Sequence, residues 1–138
     1  MKKITLPCLF LSLLFVACGS KDKTSDKAKD KYEQTKESLQ QTESKNPARF
    51  LTVTGHDRRN IIGQTVIKGT VTSTATVATY KDVDVELAFY SKTGSLLEKD
   101  HQMVYESIAP GSSASFKTKY FAPKGTDSVA MKVVSAKN

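Results

Sequence analysis

Cysteine and histidine are the residue types with the most versatile chemistry, and this chain contains two of each. His56 and His101 lie far apart in the sequence, and no nucleophile elbow or glycine-rich phosphate loop accompanies them. A Ser, His, Asp arrangement needs such a local signature before it can be distinguished from common residues. We therefore predict that both histidines are surface residues and that the protein is not an enzyme and uses no cofactor.

Three acidic residues could in principle bind a hard cation. Asp82, Asp84 and Glu86 alternate with apolar residues, so they share one face of a predicted strand. Neighbouring side chains on that face are about 6.5 to 7 Å apart, which is too far for one ion without ligands from loops. No EF-hand spacing is present, and we predict no metal site.

The sequence GHDRRN contains the strongest candidate for a binding loop. We interpret His56, Asp57, Arg58 and Arg59 as a polar turn, and loops on a rigid scaffold often carry recognition residues. A solvated turn without a ligand is the favoured alternative. The formal net charge is +7, but the lysines are scattered along the chain, so we expect no binding of nucleic acid.

The first residues have the composition of a secretory signal. A basic start, residues 1–3, precedes an apolar run, residues 4–17, which as a helix would reach about 21 Å. A bilayer core of about 30 Å is too thick for this run to cross. Ordinary signal peptidase requires small residues at −1 and −3, and cleavage after Ala17 would place the bulky Phe15 at −3.

The sequence LFVAC, which ends at Cys18, resembles a bacterial lipobox, with Phe15 where leucine is usual. The resemblance implies cleavage before Cys18 and acylation of its thiol and of the new amino terminus, with palmitate among the acyl chains. A disulfide is the alternative, but Cys8 would leave with the signal peptide. We predict a lipoprotein signal peptide over 1–17 and a membrane anchor on Cys18. Gly19 is not the aspartate of an inner-membrane retention signal, so we expect the outer membrane of a bacterial envelope.

Residues 18–46 form a charged tether. Seven lysines and six acidic residues occur among residues 19–46, and large apolar side chains are scarce. As a flexible coil the tether would span about 30 Å. A frayed, solvated helix is the alternative, because Ala28, Tyr32 and Leu39 form a thin apolar stripe.

From Pro47 onward the polarity alternates with a period of two, which is typical of β-strands. The clearest strand has Val83, Val85, Leu87 and Phe89 on one face. The predicted strands are 50–55, 64–73, 80–91, 96–108, 114–121 and 128–136. Six or seven short strands at this spacing predict an all-β domain over 47–138, an antiparallel β-sandwich of the immunoglobulin-like class.

The domain resembles small immunoglobulin-like domains of the FxLYD type and small lipoproteins of Bacteroidetes-type bacteria. The matching residues are Gly69-Thr70-Val71, Leu87-Ala88-Phe89-Tyr90, Gly94, Pro110-Gly111-Ser112 and Phe116. Ser91 stands where the FxLYD pattern has aspartate. The resemblance implies the sandwich fold and brings no catalytic residues. Asp127-Ser128-Val129 resembles a Bacteroidetes O-glycosylation acceptor, which makes Ser128 a candidate glycosylation site.

Two functional hypotheses follow from these features. The first is a lipid-anchored envelope protein whose non-catalytic domain binds an envelope protein or glycan. The alternative is a structural or stress-related envelope protein that associates with itself through edge strands.

Overall fold

The structure, a computed structural model, describes the backbone of residues 23–138 and the side chains of residues 29–138. The predicted signal peptide (1–17) and Cys18 lie outside the described residues. Neither helix of the described part combines the length and apolar composition needed to span a membrane. In chain order, the elements are α1 Lys23–Lys45, α2 Pro47–Phe50, β1 Leu51–Arg59, β2 Thr65–Ser73, β3 Lys81–Ser91, β4 Leu96–Val104, β5 Ser113–Tyr120 and β6 Thr126–Lys137.

Two three-stranded antiparallel sheets make up the domain. The first sheet has the strand order β1-β2-β5, and the second has the order β4-β3-β6. The β2–β3, β4–β5 and β5–β6 connections each cross from one sheet to the other. The predicted all-β antiparallel sandwich is therefore confirmed, with six strands.

The core lies between the sheets and is centred on β3. Val83, Val85, Leu87 and Phe89 are fully buried, as their alternation predicts. Ile67 and other apolar residues of the first sheet pack against them. Full burial of each such side chain contributes about 1.5 to 3 kcal/mol. The alternation of apolar and polar residues thus fixes which face of each sheet points outward.

The strand β1 is longer than the sequence indicates, and the interpretation of GHDRRN as a turn is wrong. Gly55 through Arg59 continue the ladder with β2, and Arg59 pairs with Thr65. The chain turns instead at residues 60–64, where the Asn60 side-chain carbonyl accepts hydrogen bonds from the N–H groups of Ile62 and Gln64. Gly63 supplies a positive φ of 80° in this turn. These residues are polar because they lie on an exposed edge strand, and such a polar composition is also typical of a turn.

The tether is helical over Lys23–Lys45, which is the second of the two conformations considered from the sequence. Its side chains from residue 29 are exposed until Glu43 and Ser44. At 1.5 Å per residue the helix is about 35 Å long. Pro47 begins α2, which leads directly into β1. Over residues 29–45, whose side chains are described, the helix contacts the sandwich at its C-terminal end.

Candidate functional site

The carboxylate of Glu43 joins the end of α1 to the loop of residues 74–79. Its Oε1 accepts hydrogen bonds from the backbone N–H and the hydroxyl of Thr76, both at 2.8 Å. Its Oε2 accepts from the N–H of Val77 at 2.9 Å and of Ala78 at 2.7 Å. We call these four residues the Glu43 clamp. Consecutive backbone N–H groups that converge on one anion form a concave anion-binding arrangement, here occupied by a side chain of the same protein.

The carboxylate of Glu43 is ionised at neutral pH although Glu43 is buried. Only 3% of Glu43 is exposed, and burial by itself raises the pKa because desolvation disfavours the ionised form. The hydrogen bonds from Thr76, Ala78 and Val77 outweigh burial and lower the pKa from 4.5 to about 2. The ionised carboxylate is thus the form that holds the helix.

Tyr80 supplies a second contact between the end of α1 and the core. Its fully buried side chain donates a hydrogen bond from the hydroxyl to the backbone oxygen of Glu43 at 3.0 Å. Burial and the negative charge of Glu43 raise the pKa of Tyr80, so the phenol stays protonated and remains a donor. The helix end is therefore held through both the side chain and the backbone of one residue.

The outer face of the first sheet carries basic and hydroxyl side chains in rows across the strands. Strand pairing places His56, Lys68 and Lys117 side by side in one row. The adjacent row consists of Thr54, Thr70 and Ser115, in which the hydroxyls of Thr70 and Ser115 are 3.1 Å apart. A third row, beyond the basic one, consists of Arg58, Val66 and Lys119. We call this outer surface of β1, β2 and β5 the groove face.

An open groove of about 630 Å³ separates the basic row from the hydroxyl row. Its floor includes the backbone of the paired residues Gly55 and Gly69. Gly69 cannot carry a side chain without movement of its surroundings, because an added Cβ would overlap the ring of Phe116 on the inner side. Among the described residues, none of the ion pairs includes His56, Lys68 or Lys117. The groove therefore presents unneutralised basic groups to solvent.

Carboxylates on the outer face of the second sheet have basic partners within the protein. Asp84 accepts from His101 Nδ1 at 2.9 Å, and Glu86 lies 3.1 Å from Lys99 Nζ. Asp82, which has a positive φ of 45° at a bulge of β3, pairs with Lys137 at 3.0 Å. The hydrogen bond and the charge of Asp84 raise the pKa of His101. Within the described part of the chain, no three His, Cys, Asp or Glu side chains are grouped as metal ligands.

The candidate binding loop is divided between two sides of β1. His56 and Arg58 point outward on the groove face, since they lie in register with Lys68 and Val66. Asp57 and Arg59 point to the other side, where Arg59 Nη2 donates to the carbonyl oxygen of Thr126 at 3.4 Å. These four residues therefore cannot act as one loop.

The candidate glycosylation site lies on a strand. Ser128 is exposed on β6, where it pairs with Tyr90. The predicted lipidation site Cys18 lies outside the described residues. Of the candidate residues in the described part of the chain, only His56 and Arg58 belong to the groove face.

Large apolar side chains are exposed at the end of the first sheet that is farthest from the Glu43 clamp. Ile61 and Ile62 lie in the β1–β2 turn and Phe121 directly follows β5, and all three are strongly exposed. The pairing of Thr65 with Tyr120 places Phe121 next to this turn. We call Ile61, Ile62 and Phe121 the apolar tip.

Sequence reasoning missed the Glu43 clamp and the groove. Glu43 is one of several acidic residues in a charged, polar segment, and nothing local distinguishes it from the exposed Glu37. The basic row was detectable in principle, because alternate residues of β1, β2 and β5 are polar. Its recognition requires the register of three strands, of which β5 is distant in the sequence.

Comparisons of the chain with protein-family models, with curated proteins and with solved structures find no significant match.

Proposed function

We propose that the chain is a lipid-anchored bacterial envelope protein whose non-catalytic β-sandwich binds an envelope protein or glycan. The lipobox-like sequence ending at Cys18 supports the anchor. The resemblance to small Bacteroidetes-type lipoproteins supports the assignment to the envelope. Gly19 favours the outer membrane, and Ser128 is proposed as a glycosylation site.

The position of the helix supports a role as a spacer. An acylated Cys18 precedes a helix about 35 Å long, so the helix can hold the sandwich clear of the lipid surface. The Glu43 clamp fixes the other end of the helix to the sandwich. A domain held in this way presents its outer faces to the surrounding envelope.

The observation that carries the proposal is the difference between the two outer faces of the sandwich. On the outer face of the second sheet, Glu86, Asp84 and Asp82 are paired with Lys99, His101 and Lys137 respectively. Basic residues of the groove face have no such partners among the described residues. Charged surfaces without internal partners steer association with molecules of opposite charge. The groove face is thus the surface proposed to bind.

Site-specific photo-crosslinking in cells tests this function. A benzophenone amino acid is introduced at Thr70 on the groove face and, as a matched control, at the exposed Lys132 on the second sheet. We expect a discrete protein or saccharide adduct from position 70 that is missing from position 132. Identical adducts from both positions, or none from position 70, would contradict the proposal.

Self-association is the second candidate, and the apolar tip is the observation that favours it. Ile61, Ile62 and Phe121 together expose a large apolar surface at one end of the domain. Such patches often mark contacts between proteins. Sedimentation of the detergent-solubilised chain tests this candidate: dimers that dissociate on Ile62→Ser would support it, and a monomer at all concentrations would exclude it.

A further inference from the structure

We propose that the groove between the basic row and the hydroxyl row binds an anionic polysaccharide of the envelope. The inference rests on the proposed function, because it names the partner class for the same surface. In the basic row, Lys68 and Lys117 supply positive charge and His56 a polar ring, and Thr54, Thr70 and Ser115 supply hydroxyl groups on the facing wall.

Charge complementarity is the first argument for an anionic occupant. Strands β2 and β5 contain no acidic residue, and the single acidic residue of β1, Asp57, points away from the groove face. Arg58 and Lys119 extend the positive charge beyond the basic row. Basic side chains this close repel one another, and an anion in the groove relieves that repulsion.

The shape of the groove is the second argument, and it favours a chain molecule with many hydroxyl groups. The two rows cross all three strands, so the groove extends about 10 Å from β1 to β5. A short stretch of polysaccharide can lie along it, with its acidic groups toward the lysines and its hydroxyls toward Thr54, Thr70 and Ser115. Because the sheet is ordered before binding, little conformational entropy is lost by the protein.

Other polyanions fit the groove face less well. Single-stranded nucleic acids bind proteins largely by stacking bases on aromatic rings. The three rows contain no aromatic side chain apart from His56, and Phe116, which also lines the groove, lies in the inward-facing row with Gly69 and packs against the core. Anionic lipid would have to reach the side of a sandwich that is attached at one end to a helix about 35 Å long. An anionic polysaccharide requires neither aromatic stacking nor contact with the membrane.

The test measures binding of fluorescent oligogalacturonate to the full chain in a non-ionic detergent, by fluorescence anisotropy. The groove variant is Lys68→Gln with Lys117→Gln. The control variant is Lys92→Gln with Lys124→Gln, which removes the same charge from exposed loop positions. We expect the groove variant to bind about tenfold more weakly and the control variant to bind within about twofold of the natural chain. Neutral dextran is expected not to compete.

Equal losses of affinity in both variants would show that only net charge matters, and would overturn the assignment of binding to the groove. Effective competition by neutral dextran would overturn the requirement for an anion. Tighter, groove-dependent binding of single-stranded DNA or of phosphatidylglycerol vesicles would overturn the polysaccharide as the occupant. Failure to bind oligogalacturonate, together with a protein adduct from position 70 in cells, would overturn this inference and leave the proposed function intact.

Discussion

Replacement of Glu43 by glutamine is expected to release the helix from the sandwich and to lower the stability of the domain. Glutamine keeps one side-chain oxygen. Its amide nitrogen, however, would face backbone N–H groups whose hydrogen bonds the second carboxylate oxygen now accepts. Hydrogen bonds to a charged group are worth more than neutral ones, and a donor left buried without a partner adds its own cost. The substitution therefore removes the charge and leaves a donor unsatisfied.

The pKa of Glu43 sets the size of the effect. A fall from 4.5 to about 2 corresponds to about 3 kcal/mol of stabilisation by the ionised carboxylate at neutral pH. Because the folded-state pKa is below the ordinary value, this contribution is complete above pH 4.5. It is lost as the pH falls from about 4.5 to about 2, where the unfolded state binds the proton more readily than the folded state.

Two measurements on the full chain test this reasoning. Denaturant unfolding as a function of pH should show a stability difference between the natural chain and Glu43→Gln of up to about 3 kcal/mol near pH 7. The difference should shrink toward pH 2. Amide hydrogen exchange should show Val77 and Ala78 protected in the natural chain and exchanging faster in the variant.

The matched control is Glu37→Gln, which makes the same change at an exposed position of α1. It should alter neither the pH dependence nor the exchange at Val77 and Ala78. A Glu43→Gln variant with the pH dependence of the natural chain, or free exchange of these amides in the natural chain, would refute the account of the clamp.

Three further predictions concern other parts of the chain. Because the pKa of His101 is raised, its ion pair with Asp84 stabilises the fold below pH 6.5, and this stabilisation is lost as the pH rises through the folded-state pKa. In Asp84→Asn, the pKa of the imidazole, followed by NMR, should return toward 6.5. An unchanged titration would argue against the pair. Gly69→Ala should destabilise the domain by about 1 to 3 kcal/mol in denaturant unfolding because its Cβ would overlap the ring of Phe116, and an unchanged midpoint would show that the ring moves freely. Radiolabelled palmitate should enter the natural chain and not Cys18→Ala; retention of label in the variant would rule out Cys18 as the acylated residue.

Local alternation was sufficient to predict most of the sandwich. Val83, Val85, Leu87 and Phe89 gave the inner face of β3, and the bounds of β2, β3, β5 and β6 agree with the prediction within a few residues. The strand β4 ends at Val104, and its predicted continuation to Ile108 is a single bridge to Tyr80. These features depend on neighbours in the sequence, which is why they could be predicted.

Features that depend on distant residues could not be predicted in the same way. Glu43 differs from Glu37 only because the 74–79 loop presents its N–H groups to it. Lys68 and Lys117 meet only through the pairing of β2 with β5. Gly55 through Arg59 extend β1 because β2 offers them a partner, although their composition is typical of a turn. In each case long-range contacts outweigh local propensity.

The claim that the chain is a lipid-anchored envelope protein is tested most directly by protease shaving. Intact cells that express the full chain are digested, and the mass of the peptide retained in the membrane is measured. Lysines of α1 such as Lys31 and Lys36 are exposed, so trypsin should cut the helix while the sandwich resists. Where shaving leaves the domain intact, the outer membrane is opened and the digestion repeated. The account predicts a retained, acylated peptide that begins at Cys18, together with a released domain. An unacylated peptide, or one that begins at Met1, would contradict the account.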